Sequence, residues 1–167
     1  MSLSQDSIKG ILYRATRLLE QGSDSPRLDA EILLVHVLGE NRSYVYSHPE
    51  ILLSSKQIDH YERLLQRRHG GEPLAYLIVI KEFWSLPLLV TQQVLVPRPE
   101  TELLVEKALA CFPPKKTIRA ADLGTGSGAI ALALAHERPH WQLIATDISK
   151  PALKIARSNA KALALQN

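Results

Sequence analysis

The sequence has 167 residues, of which 46% are hydrophobic and 22% are charged, and this balance is typical of a soluble globular protein with a sizeable core. The formal net charge of +3 is too small to identify a partner, and the single cysteine, Cys111, excludes a disulfide within the chain. An export signal and an apolar run of membrane length are both absent from the sequence, so we expect a cytoplasmic protein.

The first 70 residues have apolar side chains at helical spacing. The pattern predicts three helices: one from Ile8 to a stop at Gly22, one from Ser25-Pro26 to Gly39, and one from Ser54 or Ser55 to Arg68. The stretch that contains Tyr44, Tyr46, His48 and Pro49 is predicted to be a short connection. We therefore predict a helical bundle domain over residues 1–72.

The pattern changes after Pro73. Two short runs rich in Leu and β-branched residues, at 77–80 and 88–90, predict a strand pair or hairpin, which makes residues 73–96 a linker. The stiff turn at 97–99 follows, and Thr101 is predicted to cap the next helix. The inner stripe of that helix is expected to be Leu103, Leu104, Ala108 and Leu109.

From residue 117 the pattern alternates between strand and helix. It predicts a buried strand over 117–123, a helix over 129–136, a second strand over 141–146 and a last helix that Ser149 caps. One βαβ unit with a following helix predicts a parallel, doubly wound α/β sheet. Because such a sheet needs further strands on both sides, we expect residues 97–167 to be an incomplete domain and the whole chain to be the front part of a longer protein.

Three glycines, Gly124, Gly126 and Gly128, stand between the first of these strands and the helix after it. Glycine lets a ligand approach the main chain, and the helix N-terminus behind the loop offers N–H groups to a carboxylate or phosphate. Asp147 ends the next strand at the same edge of the sheet, where its carboxylate can accept the hydroxyls of a ribose. The pattern predicts a site for an adenosine cofactor.

Two cofactors fit this pattern. Gly124-x-Gly126-x-x-Ala129 satisfies the dinucleotide fingerprint, which would make the chain a fragment of an NAD(P)-binding oxidoreductase. Asp122, directly before a G-x-G-x-G run, is typical instead of class I methyltransferases, in which this carboxylate holds the ammonium group of S-adenosylmethionine. The loop residues alone leave both alternatives open.

A wider resemblance favours the methyltransferase. The runs L-V-P-R-P-E-T-E at 95–102, A-D-L-G-T-G-S-G-A-I at 121–130 and A-T-D-I-S at 145–149 resemble the release-factor glutamine methyltransferases, the PrmC/HemK family. The resemblance implies a helical bundle, a β-hairpin linker and the first half of a class I, Rossmann-like methyltransferase domain. It also implies N5-methylation of the glutamine in the Gly-Gly-Gln motif of class 1 peptide chain release factors.

The resemblance also implies roles for individual residues. The residues expected to bind S-adenosylmethionine are Asp122, Gly124, Thr125, Gly126, Ser127 and Gly128, with Asp147 on the ribose. Arg98, Pro99 and Glu100 are expected to help close the site, although a structural ion pair between Arg98 and Glu100 is an equal alternative. We assign no metal ligand, since the six histidines form no ligand-like cluster.

The chain departs from the family at two points. Val79 stands where the family usually has glycine, and it would be strained if the backbone there needs a positive φ. The Asn-Pro-Pro-Tyr motif that orients the substrate glutamine is expected beyond Asn167, so we assign no catalytic residue and expect this chain to be inactive alone. The expected partner is a release factor, without DNA or membrane binding, and the expected state is a monomer. A module that binds release factors without catalysis is the non-enzymatic alternative.

Overall fold

The computed structural model describes residues 4–166. The chain divides into two compact units, one ending at Ile78 and one beginning at Val79. We keep the division into residues 1–72, 73–96 and 97–167 as a proposal.

The first unit is helical. Its elements are α1 (Ile8–Leu19), α2 (Pro26–Leu38), α3 (Arg42–Ser47), α4 (Ser55–His69) and α5 (Leu74–Ile78). The three predicted helices are confirmed as α1, α2 and α4, with Gly39 ending α2 at a φ of 69° and a reciprocal capping box between Ser54 and Gln57 starting α4.

Two short helices of this unit contradict the sequence-based prediction. The predicted connection contains α3, which begins where the side chain of Asn41 accepts a hydrogen bond from the backbone N–H of Tyr44. The strand predicted over 77–80 is wrong for Leu77 and Ile78, which belong to α5, and for Val79, which forms a turn before β1. Leu77 is buried in the core of the helical unit, so tertiary packing overrides the local preference of this run for a strand.

The second unit begins with a hairpin and continues into the alternating segment. Its elements are β1 (Ile80–Phe83), β2 (Leu86–Leu89), a 3₁₀ turn (Pro99–Thr101), α6 (Glu102–Cys111), β3 (Arg119–Leu123), α7 (Ala129–Glu137), β4 (Gln142–Thr146) and α8 (Lys150–Ala162). Strands β1 and β2 pair antiparallel, while β3 and β4 pair parallel with Asp122 opposite Ala145. The predicted βαβ unit with a following helix is confirmed, as is the cap of α8, in which Ser149 accepts from the N–H of Ala152.

Several details of this unit differ from expectation. Thr101 makes no side-chain cap, because a 3₁₀ turn precedes α6 and places Thr101 in the right-handed helical region. Leu103 and Leu104 are 54% and 59% exposed, whereas Val105 is the buried residue of α6. Strand β3 is not buried as predicted, because its side chains alternate and one face of the pair is open, with Leu123 78% exposed.

The hairpin has an unusual backbone. Trp84 and Ser85 form its two-residue turn with φ values of 53° and 58°, the type I′ pattern whose twist matches that of the flanking strands. The backbone N–H of Trp84 donates to Glu102 Oε1 and its indole N–H to Glu137 Oε1, each at 2.8 Å. Val79, just before β1, has a φ of 58°, so the strain expected for a β-branched residue at this position is present.

None of the helices within residues 4–166 combines the length and the apolar character that crossing a membrane requires.

Candidate functional site

An open cleft of about 420 Å³ lies at the glycine loop of the second unit. It is lined by Leu95, Val96, Pro97, Arg98, Thr101, Asp122, Gly124, Thr125, Gly126, Ser127, Ala129 and Ile130. The fold thus brings together two stretches that the sequence singled out, the Pro-Arg-Pro segment and the glycine loop. Of the predicted site residues, Pro99, Glu100, Gly128 and Asp147 do not line this cleft.

The glycines of the loop have two different tasks. Gly124 and Gly126 have φ values of 78° and 57°, and a Cβ atom added to either would meet nothing within 4 Å. Gly128 has a φ of 86°, and its Cβ would meet Leu132 Cδ1 at 3.1 Å and Ala156 Cβ at 3.3 Å. The first two glycines therefore leave open space against the main chain, while the third lets α7 and α8 pack closely.

Asp122 supplies a carboxylate to the cleft. The hydroxyl of Thr125, which is only 7% exposed, donates a hydrogen bond of 2.6 Å to Asp122 Oδ2. Each carboxylate oxygen can accept more than one hydrogen bond, so Asp122 retains the capacity to accept from a ligand cation such as an ammonium group.

The N–H groups of the loop are largely used within the unit. Those of Gly124 and Thr125 both donate to the carbonyl of Thr146 at 2.9 Å, and that of Gly128 donates to the carbonyl of Thr125 at 2.8 Å. The N–H groups at the start of α7, on Ala129 and Ile130, have no partner within the helix. Both residues line the cleft, so the helix start supplies donors for a carboxylate. The donors at the helix start were predicted from the sequence, whereas the hydrogen bonds that engage the loop N–H groups were not.

Asp147 is held by the backbone on either side of it. Its Oδ1 accepts from the N–H of Ser149 at 2.8 Å and its Oδ2 from the N–H of Gly126 at 2.9 Å. These two hydrogen bonds lower the pKa of Asp147 from its ordinary value, and the bond from Ser149 has the larger effect. Burial opposes them with a smaller effect. Asp147 is therefore ionised at neutral pH, with lone pairs left to accept hydroxyl groups.

Asp147 and Gly128 line a neighbouring cavity of about 390 Å³ between α7, β4 and α8. Most of its lining is apolar, from Ala131, Leu132, Leu143, Leu153 and others. Because Asp122 and the free donors of α7 face the first cleft, we take that cleft as the candidate site, with Asp147 at its border through the hydrogen bond to Gly126.

The segment from Arg98 to Glu100 is exposed. Arg98 lines the cleft, and no salt bridge joins it to Glu100 within the part of the chain that the structure describes. The alternative of an ion pair between Arg98 and Glu100 is therefore absent from the described structure. That these residues help to close the site stays a prediction.

The contacts of two further residues were not predicted from the sequence. Glu102, the last residue of the P-R-P-E-T-E run, accepts from the N–H of Trp84 and joins α6 to the hairpin turn. Asn159 of α8 is 2% exposed and donates to the carbonyl of Ser127 in the loop. The only sequence pattern that marks Asn159 is its position three residues after Ala156 on the inward face of α8.

Two families match successive parts of the chain. Residues 11–78 match the PrmC N-terminal domain, and residues 99–167 match the methyltransferase small domain. The first match falls in the helical unit and the second covers the glycine loop, Asp122 and Asp147. The hairpin lies between the two matched segments.

Curated relatives share about half of their aligned residues with this chain. A release factor glutamine methyltransferase of Coxiella burnetii is 52% identical over 96% of the chain and 58% of its own length. Those of Escherichia coli and Salmonella typhimurium are 51% and 54% identical, over 88% and 93% of the chain and 53% and 56% of their own lengths. The chain thus spans a little over half the length of the curated relatives it matches. It belongs to the release factor glutamine methyltransferase family.

Proposed function

We propose that this chain forms the release-factor-binding and cofactor-binding part of an S-adenosylmethionine-dependent enzyme. The proposed reaction is N5-methylation of the glutamine in the Gly-Gly-Gln motif of class 1 peptide chain release factors. The observation that carries the proposal is the cleft in which Asp122, the open glycine loop and Arg98 meet. The curated relatives are release factor glutamine methyltransferases, and this similarity supports the choice of substrate.

The residues of the cleft fit the polar groups of S-adenosylmethionine. The Asp122 carboxylate takes the ammonium group, and the N–H groups of Ala129 and Ile130 at the positive end of α7 take the carboxylate. Asp147 accepts the ribose hydroxyls. The open space above Gly124 and Gly126 admits the cofactor against the main chain.

The bound cofactor supplies a sulfonium methyl group, which leaves by in-line displacement. The protein then contributes chiefly by holding donor and acceptor in line, so proximity and orientation dominate over acid–base catalysis. Arg98 and its neighbours lie where they can restrict access of water to the cleft. The Asn-Pro-Pro-Tyr motif that the family uses to orient the glutamine is not among these 167 residues, so we propose that they bind the cofactor without turnover.

The glycine loop also fits a competing function, that of an NAD(P)-dependent oxidoreductase. Asp122 favours S-adenosylmethionine, because a carboxylate at the entrance of the loop attracts an ammonium group but repels a pyrophosphate. Calorimetry with each cofactor separates the two. We expect binding of S-adenosylmethionine, abolished by Asp122→Ala, and none of NAD. Binding of NAD alone would contradict the methyltransferase proposal.

The substrate half of the proposal is tested with a purified release factor. We expect the whole chain to retain the release factor in a pull-down and to transfer no tritiated methyl group to it. Methyl transfer to the motif glutamine would disprove the proposed lack of turnover while supporting the proposed activity. Retention without any binding of S-adenosylmethionine would instead favour a non-catalytic binding module. As part of the same proposal we place the protein in the cytoplasm as a monomer that binds neither DNA nor membranes.

A further inference from the structure

A buried amide connects the glycine loop to the hairpin. Asn159 of α8 is 2% exposed, and its Nδ2 donates to the carbonyl of Ser127 at 2.9 Å and to the carbonyl of Leu89 at 3.0 Å. Its Oδ1 accepts from the N–H of Leu89 at 2.7 Å. Both donor hydrogens of the amide and its acceptor oxygen are therefore used, and all three partner groups belong to the backbone.

The contact with Ser127 fixes the last peptide group of the loop. In a trans peptide the carbonyl of Ser127 and the N–H of Gly128 point in opposite directions within one plane. Asn159 holds the carbonyl, and the carbonyl of Thr125 accepts the N–H of Gly128 at 2.8 Å. The peptide is thus held at both ends just before α7 begins, and its orientation sets the direction of the free N–H groups of Ala129 and Ile130.

The contact with Leu89 fixes the end of β2. Asn159 takes both the N–H and the carbonyl of Leu89, as a neighbouring strand would. Leu89 pairs with Ile80 in β1. One side chain therefore joins the hairpin to the cofactor loop by hydrogen bonds, although neither Leu89 nor Asn159 lines the cleft.

We propose that Asn159 is a positioning residue that couples the hairpin to the cofactor loop. It keeps the start of α7 oriented for the carboxylate of the cofactor, and it transmits changes at β2 to the affinity for that cofactor. This inference rests on the proposed function, since it requires that the cleft bind S-adenosylmethionine.

The substitution that tests the coupling is Asn159→Asp. It preserves the shape of the side chain and the acceptor for Leu89 N–H, but it removes both donors and sets an oxygen against the carbonyls of Ser127 and Leu89. We expect the dissociation constant for S-adenosylmethionine to rise roughly tenfold or more, since a buried carbonyl loses its donor. Affinity is measured by calorimetry at a temperature at which circular dichroism shows each variant to be folded.

Two control variants separate positioning from stability. Ser158→Ala changes the exposed neighbour on the same helix, and Val105→Ala opens a cavity in the core of the same unit, at a residue 0% exposed and outside the cleft. We expect both controls to bind S-adenosylmethionine with the affinity of the unsubstituted chain. If Val105→Ala, although destabilised, loses as much affinity as Asn159→Asp, the role of Asn159 is structural only and the inference is overturned.

A measurement on the unsubstituted chain keeps the inference testable if Asn159→Asp fails to fold. Hydrogen exchange of the Leu89 amide is followed with and without S-adenosylmethionine, with the Val105 amide as an internal reference. We expect the cofactor to slow exchange at Leu89 by a larger factor than at Val105, whose exchange follows the stability of the whole unit. Cofactor binding that slows exchange at Leu89 no more than at Val105 would overturn the inference alone, whereas no binding at all would overturn the proposed function and the inference with it.

Discussion

The backbone N–H of Gly126 donates a hydrogen bond of 2.9 Å to Oδ2 of Asp147, across 21 residues of sequence. This contact ties the middle of the glycine loop to the end of β4. It also means that the charge of Asp147 contributes to the shape of the loop.

The contact predicts a specific pH dependence. The pKa of Asp147 is lowered from its ordinary value of 3.8, so the stability it contributes is present above that pH and is lost as the pH falls through the lower folded value. Asp147→Asn replaces one acceptor by a donor that faces a backbone N–H. We expect the unsubstituted chain to be the more stable at neutral pH and the difference to shrink below pH 3.8.

Urea denaturation followed by tryptophan fluorescence measures this difference, because both tryptophans, Trp84 and Trp141, belong to the second unit. Glu106→Gln on the exposed side of α6 removes the same charge without a loop contact and serves as the control. A difference between Asp147→Asn and the unsubstituted chain that stays constant down to the lowest pH would contradict the assignment to this carboxylate.

A second effect of charge on stability is expected in the helical unit, at Glu31. It is 1% exposed, and it accepts from Arg27 Nε at 2.5 Å, Arg42 at 2.7 Å and the Tyr46 hydroxyl at 2.7 Å. Burial by itself would raise the pKa of Glu31, but the hydrogen bonds from Tyr46, Arg27 and Arg42 outweigh it and lower the pKa. The stability that this carboxylate contributes is therefore present above pH 4.5 and is lost as the pH falls below it.

We expect Glu31→Ala to lower the free energy of unfolding at neutral pH by about 2–3 kcal/mol, because three hydrogen bonds to a buried carboxylate are lost. The loss is no larger because the three donors are half exposed and can bind water instead. Circular dichroism during urea denaturation measures the change. Glu20→Ala is the control, because its exposed pair with Arg17 spans 3.9 Å, and the change expected there is below about 0.5 kcal/mol. Equal effects of the two substitutions would show that burial of Glu31 adds nothing.

Replacement of Val79 by glycine is expected to stabilise the protein. Its φ of 58° is one that a β-branched residue tolerates poorly. We expect Val79→Gly to raise the free energy of unfolding by about 1 kcal/mol, as relief of strain exceeds the added flexibility of the unfolded chain. Ile80→Gly, at the next position in regular strand, should instead lower it by about 1 kcal/mol. A loss of stability in both variants would mean that Val79 is not strained.

Substitution by alanine is expected to have different effects at two of the loop glycines, one on stability and one on cofactor affinity. Gly128→Ala should destabilise the second unit by roughly 1–3 kcal/mol, because its Cβ crowds Leu132 and Ala156 at a positive φ. Gly124→Ala meets no atom within 4 Å and should cost less stability. Its methyl group stands in the space proposed for the cofactor, so calorimetry should show the larger loss of S-adenosylmethionine affinity for Gly124→Ala. The opposite order of the two effects would contradict the division of tasks within the loop.

Local chemistry was sufficient to predict much of this protein from its sequence. The capping box of Ser54 and Gln57, the left-handed Gly39 and the cap at Ser149 act within a few residues of the chain. Helical periodicity and the strand, loop and helix order around the glycines are likewise encoded in consecutive residues. For these reasons α1, α2, α4 and the βαβ unit were predicted with bounds close to those in the structure.

Only the tertiary structure decided which surfaces meet. Local preference favours a strand at Leu77, but Leu77 belongs to a helix and packs in the core of the helical unit. The loop N–H groups use Thr146 and Asp147 as partners, and Asn159 reaches Leu89 across 70 residues. Hydrogen bonds between distant segments depend on the distance and direction of backbone groups in the folded chain, and no pattern of consecutive residues records these.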